Sequence, residues 1–153
     1  MSDKREKELH ALQAVLDTAV DGFNGYTMAV EKCTDASPLL RKYLENSQRD
    51  CKVAVEELRT LLSSRGETAN DDGTAAGALH RGWIATRTAL SSDDEATFLD
   101  EVVRGEKHAV EVYEDALEKI ADPALRKPLQ KQLSGLRENL TKAKAFDIAL
   151  DRP

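Results

Sequence analysis

Apolar positions recur at alternating steps of three and four residues over four long stretches of the chain, the spacing of a helix that buries one face. The first two stretches predict helices over about residues 3–34 and 38–65. The last two predict helices over about residues 93–121 and 123–149. The pattern therefore predicts an all-α protein.

Residues that begin or end helices stand between these stretches. Ser37 and Asp122 each precede a proline, so each can cap a helix whose first position is that proline. Gly66 predicts the end of the second helix, because glycine adopts a left-handed conformation at little cost. Pro128 lies past the first turn of the last helix, where it predicts a bend or a delayed regular start.

The connection between the second and third helices contains the stretch GTAAGALHRGWIATRTAL, residues 73–90, with the chain's one tryptophan. Leu79, Trp83, Thr86 and Leu90 share one helical face in this stretch. It predicts a short fifth helix over about residues 74–90.

An internal repeat relates the two halves of the chain. Residues 26–35 read YTMAVEKCTD and residues 113–122 read YEDALEKIAD, with five of ten positions identical, including Tyr26 and Tyr113. The repeat predicts two copies of one helical hairpin that bury their apolar faces against each other, with the two tyrosines facing each other. With one long crossover between the copies, we expect a single ferritin-like four-helix bundle over residues 1–153.

Charge and composition narrow the classes of partner. The chain has 28 acidic and 22 basic residues, a net charge of −6, which disfavours a nucleic-acid partner. No stretch approaches the length of a membrane-spanning apolar helix, and no apolar leader follows the charged start. Cys33 and Cys51 lack the spacing of a metal site and are interpreted as reduced core thiols. These features predict a cytoplasmic protein that binds neither nucleic acid nor membranes.

Three stretches carry a family resemblance. AGALHRGW in the connection, RGEKHAVEVYEDAL in the third helix and DGFNGY in the first together resemble a bacterial family of ferritin-like four-helix-bundle proteins described only as a domain of unknown function. The resemblance covers roughly residues 8–148. It implies the fold and a bacterial cytosolic setting, and it implies no activity.

A ferritin-like bundle raises the possibility of a di-iron site, which takes a Glu from each of two helices and a Glu-x-x-His pair from each of the other two. The three histidines, His10, His80 and His108, do not have this spacing. We therefore predict no metal ligands, no catalytic residues and no cofactor, and iron stays an alternative.

Glu106 is the one carboxylate on the apolar face of the third helix, so we expect it to be at least partly buried. The favoured interpretation is a structural hydrogen bond or ion pair to Tyr26, Gln132 or a lysine. The alternative is the remnant of a metal site or a proton acceptor.

Possible ligand or docking residues are His80, Arg81 and Trp83 in the connection, together with Tyr26 and Tyr113. The first three could bind an anionic ligand, but the favoured interpretation is that Trp83 anchors the connection in the groove between the two hairpins while Arg81 and His80 pair with acidic helix surfaces. The two tyrosines are interpreted as core residues whose hydroxyl groups are hydrogen-bonded.

Three functional hypotheses follow. The first is a non-catalytic bundle that acts through protein contacts as a homodimer, with a stress-related role suggested by its superfamily. The second is a carboxylate-bridged di-metal binding protein or oxidase with a degenerate iron site at Glu106. The third is a small-molecule binder that uses the groove near Trp83.

Overall fold

The structure is a computed structural model that describes residues 2–32, 37–67 and 95–150. In these ranges it contains four α-helices: α1 (Ser2–Lys32), α2 (Pro38–Ser64), α3 (Glu95–Lys119) and α4 (Pro123–Leu150). Each helix begins and ends within two residues of its predicted limits. The fifth helix predicted over residues 74–90 lies outside the described residues.

The four helices pack into a bundle in which α1 lies beside α2 and α3, and α4 lies beside α3 and α2. Glu8, near the start of α1, accepts hydrogen bonds from the backbone after the end of α3, and Tyr26, near the end of α1, binds Glu106. These contacts make α1 and α3 antiparallel. Because Arg65, at the end of α2, binds Asp122 beside the end of α3, α2 and α3 run in the same direction. The end of α2 and the start of α3 therefore lie at opposite ends of the bundle.

The helix ends follow the predicted signals. Ser37 caps α2 by accepting a hydrogen bond from the Leu40 amide at 3.3 Å, and Asp122 Oδ1 accepts one from the amide two residues later at 2.9 Å. Gly66 has a φ of +78°, and its amide closes α2 by donating to the Ser63 carbonyl oxygen at 3.0 Å. Local sequence therefore determines where these helices begin and end.

The prediction that Pro128 delays the regular start of the last helix is wrong, because α4 runs from Pro123 through Pro128 without interruption. The lost hydrogen bond is the one to the carbonyl of Ala124, in the first turn. Leu125 and Leu129, on either side of the proline, are buried in the core, and this packing holds the helical course.

Two apolar clusters lie at different levels of the bundle. The lower core contains the start of α1 and the end of α3, and its largest fully buried members are Leu12, Leu16, Leu58, Leu62, Ile120, Leu125 and Leu129. The upper core lies toward the other end and includes Tyr26, Leu40, Leu44, Phe98, Leu99 and Val102. The candidate site lies between these two clusters.

Candidate functional site

All four helices line a cavity of about 280 Å³ in the middle of the bundle. Its walls contain six residues that have a very small side chain or none: Ala19, Gly22, Ala54, Gly105, Ala109 and Gly135. Side chains of this size leave space between helices that larger residues fill in the clusters above and below. Gly22 also allows α1 to lie close to α2, because a Cβ atom at this position would lie 3.2 Å from Cys51 Sγ.

The cavity reaches the surface between α2 and α4. Asp50 and Val53 of α2 and Lys131 of α4 belong to its lining, and all three side chains are exposed. The inner wall is buried and comes mainly from α1 and α3, where Tyr26, Glu106 and Tyr113 are located. The site is therefore a pocket with an exposed rim and a buried polar floor.

Glu106 is 5% exposed, and its Oε1 accepts a hydrogen bond from the hydroxyl group of Tyr26. The Tyr43 hydroxyl lies 3.3 Å from the Tyr26 hydroxyl and 3.3 Å from the carbonyl oxygen of Asn139. The rings of Tyr26 and Tyr43 meet edge to face, with centroids 6.3 Å apart. Of the three partners expected for Glu106, the structure places Tyr26 against it.

Burial controls the protonation of these groups. It raises the pKa of Glu106 from 4.5 to about 7, the Tyr26 hydrogen bond opposes the rise, and the nearby Asp50 carboxylate adds to it. Burial also raises the pKa of Tyr26 and of Tyr113 well above 10, so their hydroxyl groups stay protonated and act as donors. Glu106 is thus the group whose charge changes near neutral pH.

A second buried pair lies on the α3–α4 side of the cavity. The hydroxyl group of Tyr113 donates to Gln132 Oε1 at 2.7 Å. The Tyr113 hydrogen bond occupies the amide oxygen of Gln132, and the Tyr26 hydrogen bond occupies one carboxylate oxygen of Glu106. The remaining atoms, Glu106 Oε2 and Gln132 Nε2, are buried and have no hydrogen-bond partner among the residues that the structure describes. The pocket therefore contains one unmatched acceptor and one unmatched donor.

The donor set does not fit an iron site. Asp50 and Glu57 accompany Glu106 in the cavity lining, yet within residues 2–32, 37–67 and 95–150 no group of three or more His, Cys, Asp or Glu side chains could hold a metal ion. His10 and His108 are exposed. A transition metal needs several such ligands at bonding distance, which the described side chains do not supply.

The structure brings together some of the residues singled out from the sequence. Tyr26, Tyr113 and Glu106 all line the cavity. His80, Arg81 and Trp83 lie outside the described residues. Tyr26 and Tyr113 occupy equivalent repeat positions, but each donates its hydrogen bond to a different side chain.

Sequence reasoning missed the cavity and Tyr43. The available signal was the series of small residues in the middle of the predicted apolar faces, among them Ala19, Ala54 and Ala109. The stretches DGFNGY and RGEKHAVEVYEDAL, which carry the family resemblance, supply several of the lining residues.

Comparison with known proteins supports the assignment to a family. No curated protein matches the sequence at a significant level. No helix within the described part of the chain is long and apolar enough to cross a membrane. A family model matches residues 7–119, which include most of α1 and all of α2 and α3, three of the four helices that line the cavity. The chain belongs to the family described as Domain of unknown function (DUF2383).

Proposed function

We propose that this protein is a non-catalytic four-helix bundle that binds a small, mostly apolar molecule in its central cavity. The observation that carries the proposal is the cavity of about 280 Å³, whose floor holds two buried polar atoms without partners among the described residues. Protein interiors are normally close-packed, and a buried polar group left unmatched reduces stability. A ligand that fills the space and pairs with these atoms offsets both costs.

The chemistry of the lining favours binding over catalysis. Burial raises the pKa of the Cys51 thiol well above its usual value, so the thiol stays protonated and is a weak nucleophile. The raised pKa values of Tyr26 and Tyr113 keep their hydroxyl groups neutral in the same way. Glu106, whose pKa burial raises to about 7, changes its protonation near neutral pH, and its hydrogen bond with Tyr26 holds it in place.

The ferritin-like relationship and the bacterial, cytoplasmic setting belong to the same proposal. The parallel course of α2 and α3 supports the ferritin-like relationship, because such bundles have one long crossover between antiparallel hairpins. The setting, and a stress-related role, rest on the family resemblance.

Protein contacts, including a homodimer, are a second part of the proposal, and two exposed side chains of α2 favour them. Leu39 is 72% exposed and Val53 is 49% exposed. Light scattering over a range of protein concentrations measures the solution mass. A dimer mass is expected, and a monomer mass at the highest concentration contradicts this part of the proposal.

Titration of the isotopically labelled full chain with toluene, followed by ¹H–¹⁵N NMR, tests the proposed binding function. Toluene is a suitable probe because apolar cavities in helical proteins take up small aromatic molecules. We expect saturable shifts that concentrate on the residues that line the cavity. Ala109→Phe places a ring in the cavity and should abolish them, while Ala54→Leu fills the cavity from α2 and should weaken them.

The matched control is Ala145→Phe, which adds the same ring at an exposed position of α4 away from the lining. This variant should bind toluene as the unmodified chain does. Absence of saturable shifts in the unmodified chain, or equal shifts in the folded Ala109→Phe variant, contradicts binding in the central cavity.

A further inference from the structure

Two tyrosines fix the orientation of the polar groups on the floor of the cavity. Tyr26 donates to one oxygen of Glu106, and Tyr113 donates to the oxygen of the Gln132 amide. Both acceptor side chains are thereby held so that one further polar atom of each remains in the lining, Glu106 Oε2 and Gln132 Nε2. The first accepts hydrogen bonds as a carboxylate oxygen, and the second can only donate.

The geometry points to a small neutral amide as the ligand of the central cavity, with its N–H donating to Glu106 Oε2 and its carbonyl oxygen accepting from Gln132 Nε2. This assignment rests on the proposed binding function. A primary or secondary amide carries a donor nitrogen and an acceptor oxygen, both bonded to the same carbon of one planar group. It therefore carries one suitable partner for each of the two unpartnered atoms.

The charges of the lining disfavour an anionic ligand. Asp50, Glu57 and Glu106 carry acidic groups in the lining, against Lys131 as the single cation among the described lining residues. A carboxylate in the cavity would meet this acidic surplus and would also lose its hydration. A ligand with a negative charge is therefore expected to bind weakly.

The hydrogen-bond requirement disfavours a simple cation. An ammonium group could pair with Glu106 Oε2, but it has no acceptor and leaves the Gln132 amide donor unmatched. The alanine and glycine side chains of the walls also supply no acceptor for the other N–H groups of a buried ammonium. A neutral amide avoids both problems.

The volume sets the size of the ligand. A cavity of about 280 Å³ lies near the lower end of the range for small-molecule pockets. This space suits an amide with one ring or a short aliphatic chain, which would pack against Ala109 and Leu136. The predicted ligands are therefore small molecules that join one amide group to a small apolar group.

Isothermal titration of the full chain at pH 8 with five probes that share one ring tests the class. The probes are benzamide, benzoate, benzylammonium, benzyl alcohol and N,N-dimethylbenzamide. Benzamide should bind about tenfold more tightly than each of the others, which corresponds to one well-formed hydrogen bond or one uncompensated charge. The dimethyl compound keeps the carbonyl acceptor and replaces both N–H hydrogens by methyl groups, so it tests the donor contact without a protein variant.

Two variants locate the contacts. Gln132→Leu removes the donor and should weaken benzamide about tenfold while toluene binds as before. Glu106→Gln presents an amide in place of the carboxylate acceptor and should remove the preference for benzamide over N,N-dimethylbenzamide. If Gln132→Leu fails to fold, the comparison of benzamide with its dimethyl derivative in the unmodified chain still tests the inference.

The outcomes separate the ligand class from the binding function. Tighter binding of benzylammonium, benzoate or benzyl alcohol than of benzamide overturns the amide assignment, as does equal binding of benzamide and N,N-dimethylbenzamide. If either result accompanies toluene binding that Ala109→Phe abolishes, the cavity remains a binding site for another class of molecule. If no probe binds and toluene does not bind, both proposals fail.

Discussion

The lower core and the central cavity are built on the same four helices, and they differ in how completely side chains fill the space. In the lower core, Leu12, Leu16, Leu58 and Leu129 are fully buried and meet between the helices. One or two turns away, the same helices present alanine, glycine and two buried polar side chains. Helical periodicity decides which positions face inward, whereas side-chain volume decides whether the space between the helices is filled at a given level of the bundle.

Helix α4 shows this difference in packing between two leucines on one face. Leu129 and Leu136 are seven residues apart, so they lie on nearly the same side of the helix. Leu129 has no exposed surface, while Leu136 is only partly buried and lines the cavity. The same residue type on one face therefore has two different environments.

The largest effect is expected when the filled level loses a side chain. Leu129→Ala should lower the free energy of unfolding by about 3 kcal/mol, because it leaves a void among well-packed neighbours. Leu136→Ala should cost about 1 kcal/mol, because its side chain already borders open space. Urea unfolding of both variants measures the difference, and equal losses would show that the two levels are packed alike.

The next effect concerns Glu106 and pH. In the folded chain its pKa is about 7, above the usual 4.5, so the fold retains the proton more strongly than the unfolded chain does. Protonation therefore favours folding, and stability falls as the pH rises from about 4.5 to about 7. Above that range the ionised group should reduce the free energy of unfolding by an amount on the order of 3 kcal/mol relative to pH below 4.5.

Urea unfolding between pH 5 and pH 8 measures this slope. Glu106→Gln replaces the titrating group with a neutral side chain of the same shape and should remove most of the slope. Glu111→Gln, at an exposed position of the same helix, is the matched control and should keep it. A slope that persists in Glu106→Gln would assign the pH dependence to other groups.

The smallest expected effects come from two alanine substitutions, which should change the free energy of unfolding in opposite directions. Ala109→Leu adds a side chain into the cavity and should raise the free energy of unfolding by about 1 kcal/mol, because it buries apolar surface in existing space. Ala116→Leu, seven residues later, adds the same atoms to the lower core, where the alanine is 3% exposed. Overpacking there should lower the free energy of unfolding by about 1 kcal/mol or more.

Thermal unfolding of the two alanine variants checks these opposite signs. Loss of stability in both would indicate that the cavity level cannot accommodate the larger side chain. A gain in both would indicate that the lower core also contains free space.

Much of the bundle could be predicted from the sequence. The periodic apolar positions gave the four helices, and Ser37, Gly66 and Asp122 gave their limits, because a helix end depends on the hydrogen bonds of a few neighbouring residues. The inward position of Glu106 also followed from its spacing. The delayed start predicted at Pro128 was wrong, because the packing of Leu125 and Leu129 on either side of the proline overrides the loss of one hydrogen bond.

The cavity was not predictable in the same way. Its volume depends on residues of four helices that lie far apart in the chain and share one level only after the bundle has formed. Which hydroxyl group meets Glu106 and which meets Gln132 depends on the relative height of the helices, which no local signal fixes. Sequence alone determined the helices and their buried faces, because both depend on neighbouring residues. Only the tertiary structure decided that small and polar side chains coincide at one level, where they leave a pocket between two filled clusters.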